Sequence, residues 1–101
     1  MKYKIIISPE AFDMLKEHIA FIANVDKTAA LNTKNLIVDS IKGLSEMPSR
    51  YPFFDEHYIP KNKYHKMFVE NWYLVLYQIK DDTVFVDYIL DCRQDYNWLI
   101  N

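Results

Sequence analysis

Hydrophobic and polar residues alternate with different periods along the chain, and the first change of period predicts a strand followed by a helix. Residues 3–7 are mostly aromatic and aliphatic, and this short run ends at Ser8-Pro9-Glu10. Serine is a favoured helix N-cap, proline fits the first helical position, and a carboxylate stabilises the positive end of a helix. The pattern therefore predicts a short strand that leads directly into a helix.

Two helices in an antiparallel hairpin are predicted next, the second beginning near Asp26 or Thr28 and ending at about Glu46. Their apolar positions are Ala11, Phe12, Leu15, Ile19, Ile22 and Ala23 in the first, and Ala30, Ile37, Ile41 and Leu44 in the second. Spacings of three, four and seven residues belong to one helical face. The break at residues 24–27 is short, which favours antiparallel helices, and the residue before Pro48 disfavours helical geometry.

The rest of the chain predicts an ordered loop and three strands. The loop, residues 48–62, contains three of the four prolines and the aromatic residues Tyr51, Phe53, Phe54 and Tyr58. Runs rich in β-branched and aromatic residues predict strands at residues 63–69, 72–79 and 83–90. Glu70-Asn71 and Asp81-Asp82 are predicted as two-residue hairpin turns, and residues 93–101 as a short helical tail.

These elements predict one α+β domain over residues 1–101, because helices and strands are segregated along the chain. An N-terminal strand precedes the two-helix hairpin, and a three-stranded antiparallel sheet packs on the helices. The hairpin covers one sheet face, so we expect the other face to be available for function.

Composition excludes several classes of protein. Half of the 101 residues are hydrophobic and 16% are aromatic, which excludes intrinsic disorder. Gly43 is the only glycine, and this excludes Rossmann and Walker A phosphate loops, which require several glycines. Cys92 is the only cysteine, so the chain can form neither an internal disulfide nor a thiolate zinc site.

Net charge and hydropathy restrict the classes of partner that the protein can have. The net charge of -2 disfavours free nucleic acid, because proteins that coat nucleic acids are strongly basic. No apolar run has the length of a signal peptide or a membrane span, so we expect a cytoplasmic protein without a membrane partner. The sequence indicates no cofactor and no metal, since the adjacent Asp55-Glu56-His57 are better explained as a polar turn.

Several segments carry a family likeness through their order and spacing. They are the opening from Tyr3 to Pro9 with Ala11, then Leu44-Ser45-Glu46-Met47-Pro48, Tyr64-His65-Lys66-Met67-Phe68-Val69, Trp72-Tyr73-Leu74-Val75-Leu76-Tyr77 and Asp91-Cys92-Arg93-Gln94-Asp95-Tyr96. Along nearly its whole length the chain resembles the RelE/ParE superfamily of toxins from type II toxin–antitoxin systems. The resemblance implies a compact α+β toxin that is neutralised by a cognate antitoxin. RelE-like members cut mRNA on the ribosome, whereas ParE-like members inhibit DNA gyrase.

An RNA-cleaving member needs a general base, a general acid and cations for the phosphate. Arg93 follows the last strand, where the resemblance places an arginine that helps to hold the phosphate in RNA-cleaving relatives. Lys63, His65 and Lys66 belong to the dense basic cluster at residues 61–66, and His65 is a candidate general base. Tyr96 completes the candidate catalytic set.

Each candidate also has a structural interpretation. The lysines fit a solvated strand edge, Arg93 fits an ion pair with Asp91 or Asp95, and His65 and Tyr96 fit packed positions. Trp72, Tyr73 and Tyr77 fit either stacking on bases or core packing. Strand alternation predicts Lys63 and His65 on one sheet face and Lys66 on the other.

Two departures disfavour the RNA-cleaving branch. Tyr73 is followed by Leu74, where RNA-cleaving relatives carry an arginine. Beyond residue 69 the acidic residues are Glu70, Asp81, Asp82, Asp87, Asp91 and Asp95, against only Lys80 and Arg93. RNA favours a basic surface. Our hypothesis is therefore ParE-like inhibition of gyrase or another non-nucleolytic action; the alternatives are a RelE-like ribosome-dependent mRNA endoribonuclease and a non-toxic degenerate interaction module.

Overall fold

The structure, a computed structural model, describes residues 2–57 and 59–92, which form four strands and two α-helices. In chain order the elements are β1 (Lys4–Ile7), α1 (Pro9–Ala23), α2 (Lys27–Lys42), β2 (His65–Val69), β3 (Tyr73–Lys80) and β4 (Thr83–Asp91). Short 3-10 helices at Gly43–Ser45 and Pro48–Arg50 follow α2. The predicted α+β class is confirmed. Tyr58 and the tail predicted as helical lie outside the described residues.

Local sequence accounts for the start of both helices. The Ser8 hydroxyl oxygen accepts a hydrogen bond from the Ala11 N–H at 3.0 Å, as predicted for an N-cap. The Asp26 carboxylate caps α2 by accepting from the N–H groups of Thr28 and Ala29 at 3.0 and 3.1 Å. The α-helical geometry of α2 ends earlier than predicted, because the chain tightens into a 3-10 turn at Gly43, a residue of low helix propensity.

The four strands form one sheet in the order β1-β4-β3-β2. The hairpin strands pair antiparallel, whereas β1 pairs parallel with β4, with Lys4 opposite Thr83 and Ile7 opposite Val86. The N-terminal strand is therefore an integral edge of the sheet beside the last strand. None of the helices in the described part of the chain is long and apolar enough to cross a membrane.

The two hairpin turns differ from each other. Lys80 lies opposite Thr83, which confirms the two-residue turn at Asp81-Asp82. Val69 lies opposite Tyr73, so the other loop has three residues and β3 begins after Trp72, not at it. In that loop the Val69 carbonyl accepts from the Trp72 N–H at 3.2 Å, and Glu70 and Asn71 have φ angles of 55° and 62°. Positive φ at both central positions is the mark of a type I′ turn.

The main core lies between the helices and one face of the sheet, which we call the inner face. Its buried residues are Ala11, Leu15, Ile37, Ile41 and Leu44 from the helical half, and Met67, Val69, Tyr73, Val75, Tyr77, Val84, Val86 and Ile89 from the strands. Fewer helical residues are buried in this core than predicted. Phe12 is 49% exposed and not buried, because α1 presents Ala11 and Leu15 to the sheet.

A second apolar cluster lies on the opposite, outer face of the sheet. Phe54 and Tyr64, from the two ends of the loop before β2, are buried with Leu74, Leu76 and Leu90. The loop therefore folds back over the sheet. The expectation that the whole outer face is available is wrong for this part, because the leucines bury their side chains under the loop.

Candidate functional site

Three of the five candidate site residues, Lys63, His65 and Lys66, belong to the described chain, and Arg93 and Tyr96 lie outside it. β2 begins at His65, two residues later than predicted, because the chain is still turning before it. The Lys63 N–H donates to the Pro60 carbonyl at 3.2 Å. Lys63 therefore precedes the strand, and strand alternation does not apply to it.

His65 is packed inside the protein. Its side chain is 8% exposed, and its ring stacks on Tyr77 with the centroids 5.3 Å apart and the planes at 15°. The centroid of the Phe53 ring lies 4.3 Å from the centroid of the His65 ring. His65 Nδ1 lies 2.7 Å from the Tyr51 carbonyl oxygen, which can only accept, so Nδ1 carries the proton and donates it. These contacts support the structural interpretation of this histidine.

Lys63 and Lys66 lie on the outer side of the sheet. The neighbours of Lys66 on the strand, His65 and Met67, face the inner core, so Lys66 faces outward. Lys63 Nζ lies 5.3 Å from the centroid of the Tyr64 ring, and Tyr64 packs in the outer cluster. The predicted separation of Lys66 from His65 is confirmed. The predicted pairing of Lys63 with His65 is wrong, because Lys63 precedes the strand.

Residues 52–54 run beside the beginning of β2 as a short extra strand. The Phe54 N–H donates to the Tyr64 carbonyl at 2.7 Å, and the Lys66 N–H donates to the Pro52 carbonyl at 2.9 Å. An isolated antiparallel bridge joins Phe53 and His65 between these two bonds. The first half of this sheet edge is therefore covered, and the covering ends at Lys66.

A polar cluster on the outer face includes Tyr64, which lies at the end of the loop before β2. The Tyr64 side chain hydrogen-bonds with the side chains of Asp87 and Tyr88, and the ring centroids of the two tyrosines lie 5.8 Å apart, edge to face. Gln78 Nε2 donates to Asp87 Oδ2 at 2.7 Å. Asp87 is the extra residue of a β-bulge, because Tyr77 pairs with Val86 while its neighbour on β3 pairs with Tyr88.

This cluster was not predicted from the sequence, because a bulge brings together residues of β3, β4 and the loop before β2, and no local spacing indicates it. Burial, and then the neighbouring Asp87 carboxylate, raise the pKa of Tyr64 above its usual value of 10.0. The phenol therefore stays protonated at neutral pH and donates its proton. The Asp87 carboxylate accepts from both Gln78 and Tyr64, which uses about half of its acceptor sites.

Leu74 is the position at which the resemblance implies an arginine in RNA-cleaving members. It is 4% exposed and lies in the outer cluster with Leu90, under Phe54 and Tyr64. A buried aliphatic side chain cannot donate a hydrogen bond to a phosphate. This part of the outer face therefore provides apolar packing where the relatives provide a cation.

The acidic residues beyond residue 69 do not form one rim. Glu70, Asp81 and Asp82 lie in hairpin turns, Asp91 lies opposite Tyr73 on the inner side, Asp87 lies on the outer face, and Asp95 lies outside the described residues. Among the carboxylates that the structure describes, Asp87 is thus the one that lies on the outer face within the sheet. The charge argument against RNA is consequently weaker than the argument from Leu74.

The three aromatic residues considered for base stacking lie in different parts of the structure. Tyr73 and Tyr77 are buried in the inner core, whereas Trp72 is 52% exposed. Trp72 lines an open groove of about 370 Å³ between the helix hairpin and the β2–β3 turn, together with Ile22, Leu36 and other residues. Among the described residues, no group of three His, Cys, Asp or Glu side chains is arranged to hold a metal ion.

Comparisons with known proteins agree on the fold. The chain is similar to a solved structure named "Chromosomal ParDE TA system from P. aeruginosa", with a TM-score of 0.73 and 14% sequence identity, over 89% of this chain and 96% of that one. None of the curated proteins matches the chain. The family described as "ParE toxin of type II toxin-antitoxin system, parDE" matches residues 5–96, which is nearly the entire sequence. The chain therefore belongs to the ParE toxin family of type II toxin–antitoxin systems.

Proposed function

We propose that the protein is a growth-arresting cytoplasmic toxin that acts on DNA gyrase or another protein target without cleaving RNA. Membership of the ParE toxin family supports a toxin function for this protein. The observation that carries the choice of mechanism is Leu74, which is buried in an apolar cluster where RNA-cleaving relatives carry an arginine. Metal-free RNA cleavage depends on cations that stabilise the charge developing on the phosphate. The position of Leu74 on the outer face therefore provides no such cation.

The RelE-like mRNA endoribonuclease is the second candidate function, and the two outer-face lysines favour it. In that case Lys63 and Lys66 would act with Arg93 and Tyr96 on the phosphate and its leaving group. His65 would contribute by position only, since its ring is stacked on Tyr77 inside the core. This set lacks a described general base, which is why we place it second.

Two assays on the purified chain separate the two functions. The proposal expects inhibition of gyrase supercoiling and no cleavage of mRNA on translating ribosomes, mapped by primer extension. Codon-periodic cuts that disappear in Arg93→Ala would overturn it in favour of the nuclease. Normal growth after tight induction of the gene would instead support a degenerate interaction module.

We also propose a cognate antitoxin as the partner that holds the toxin inactive. The groove beside Trp72 is lined mainly by apolar and aromatic side chains, together with Thr33 and Glu70, and Leu36 at its wall is exposed. An amphipathic helix fits such a groove through side chains spaced three and four residues apart. Calorimetry with the product of the adjacent small gene is expected to show binding that Trp72→Ala weakens and Phe53→Ala, at the far end of β2, leaves unchanged. Equal loss in both variants would argue against this groove.

A further inference from the structure

The outer side of β2 and the residues just before it carry two lysines and an exposed phenylalanine: Lys63, Lys66 and Phe68. We call this group the β2 basic edge. We propose that the β2 basic edge is a docking surface for an extended acidic segment of a partner protein. This inference depends on the proposed function only if the partner protein is the target of the toxin.

The positive charge of this surface is not neutralised by the described chain. The ion pair found among the described residues joins Lys16 and Asp13 on α1, far from this edge in sequence. Asp87, the acidic residue within the neighbouring strands on the same face, is hydrogen-bonded to Gln78 and Tyr64, and among the described residues it forms no ion pair with a lysine. A partner carboxylate therefore meets lysines whose charge is still available.

The backbone of β2 has free hydrogen-bonding groups at the same place. The Lys66 N–H points away from β3, since it donates to the Pro52 carbonyl. By alternation the N–H and C=O of Phe68 also point away from β3, and no described residue bonds to them. Pro52 has no N–H to give to the Lys66 carbonyl. These groups can pair with a short added strand.

The spacing of the side chains on β2 also fits an added strand. Lys66 and Phe68 are two residues apart on one face of a strand, about 7 Å, which is the repeat of side chains along an added strand. The Phe68 side chain is 54% exposed. An extended segment that alternates carboxylates with apolar residues thus satisfies the lysine, the phenyl ring and the backbone edge together.

Single-stranded nucleic acid fits the same surface less well. Such ligands stack successive bases on several exposed aromatic rings along a basic groove. On this face Phe68 is the strongly exposed aromatic side chain of the described strands, while Tyr64 is buried beneath Lys63. The observations therefore favour a polypeptide.

The test uses the full chain and a fluorescent peptide of about eight residues that alternates glutamate and valine. We expect salt-sensitive binding that falls about tenfold or more in Lys63→Glu/Lys66→Glu. The matched control, Lys27→Glu/Lys34→Glu, changes the same net charge at exposed positions of α2 and is expected to alter binding less than about twofold. Lys63, Lys27 and Lys34 are exposed and Lys66 is half-buried, and thermal unfolding verifies that all the variants fold.

Hydrogen exchange gives a second readout of the edge itself. Peptide binding is expected to protect the Phe68 amide and to leave the Ile5 amide, on the opposite edge strand, unchanged. Equal loss in the two charge variants, unchanged exchange at Phe68, or tighter binding of oligo-dT of about twelve nucleotides would overturn the proposal. Peptide binding by a chain that leaves gyrase unaffected would support this surface while the proposed function fails.

Discussion

The hydroxyl of Tyr77 donates a 2.6 Å hydrogen bond to the carbonyl of Pro48, which joins the middle of the sheet to the turn that follows the helix hairpin. Both residues are fully buried. The same tyrosine ring carries His65 stacked on its face. One side chain thus connects β3, the 3-10 turn after the helices and the beginning of β2.

Tyr77→Phe is expected to lower the free energy of unfolding by about 1–3 kcal/mol, because it leaves the buried Pro48 carbonyl without its donor. Urea denaturation measures the change. Tyr51→Phe is the control, since the Tyr51 hydroxyl makes only a long, exposed 3.4 Å contact with Arg50. Similar losses in both variants would contradict the importance of the buried bond.

Stability is also expected to depend on alkaline pH through the two buried phenols. Burial raises the pKa of Tyr77 above 10.0, and burial followed by the Asp87 carboxylate raises that of Tyr64. A tyrosine with a raised folded-state pKa contributes stability that is fully present below its unfolded pKa and is lost as the pH rises beyond it. The free energy of unfolding should therefore fall from about pH 10 upward. Tyr64→Phe/Tyr77→Phe should flatten this decline, and a decline of unchanged steepness in that variant would refute the assignment.

Features with local causes were predictable from the sequence. Ser8-Pro9 predicted the start of α1, and Asp26 was one of the two predicted starts of α2, because capping depends on residues within one helical turn. The α+β class followed from the order of periodic segments. Leu74 was recognised from the sequence as one of two departures from the RNA-cleaving branch, and the structure adds the apolar cluster around it.

Features that depend on distant pairing were not predictable. Nothing in residues 3–7 indicates a parallel partner, because the register with β4 is decided by the whole fold. The alternation rule failed at Lys63 because a turn at Pro60 delays the strand. Likewise, periodicity cannot show that Phe54 returns to cover the outer face, since loop residues carry no period.

The buried position of Leu74 predicts that restoring an arginine will not restore a nuclease. Leu74→Arg is expected to destabilise the fold by about 3 kcal/mol or more, because it buries a charge among leucines. Phe68→Arg, on the same face but exposed, should change stability by less than about 0.5 kcal/mol. Urea denaturation of both variants, followed by the mRNA cleavage assay, is the measurement. A well-folded Leu74→Arg protein that cuts mRNA would contradict this account.

His65 is expected to matter for stability and not for chemistry. His65→Ala removes the stacking on Tyr77 and the bond to the Tyr51 carbonyl, with an expected loss of about 2–4 kcal/mol. His65→Phe keeps a ring and loses only the hydrogen bond, so its loss should be smaller. Target inhibition per folded molecule, corrected for the unfolded fraction, should be the same in both variants and the wild type. A specific loss of activity in folded His65→Phe would identify a chemical role instead.

The β2–β3 turn offers a stabilising substitution. Glu70 has a φ angle of 55°, a left-handed conformation that costs a residue with a Cβ about 1–2 kcal/mol and costs glycine little. Glu70→Gly should therefore raise the free energy of unfolding by about 0.5–1 kcal/mol, after the entropy that glycine adds to the unfolded chain is subtracted. Asp82→Gly is the matched control in the other hairpin. Asp82 does not have a positive φ angle, so glycine there adds an entropic cost and removes the hydrogen bond from the Thr83 hydroxyl, and both effects should lower the midpoint of thermal unfolding. If both substitutions shift the midpoint in the same direction, the backbone conformation of Glu70 is not the source of the effect.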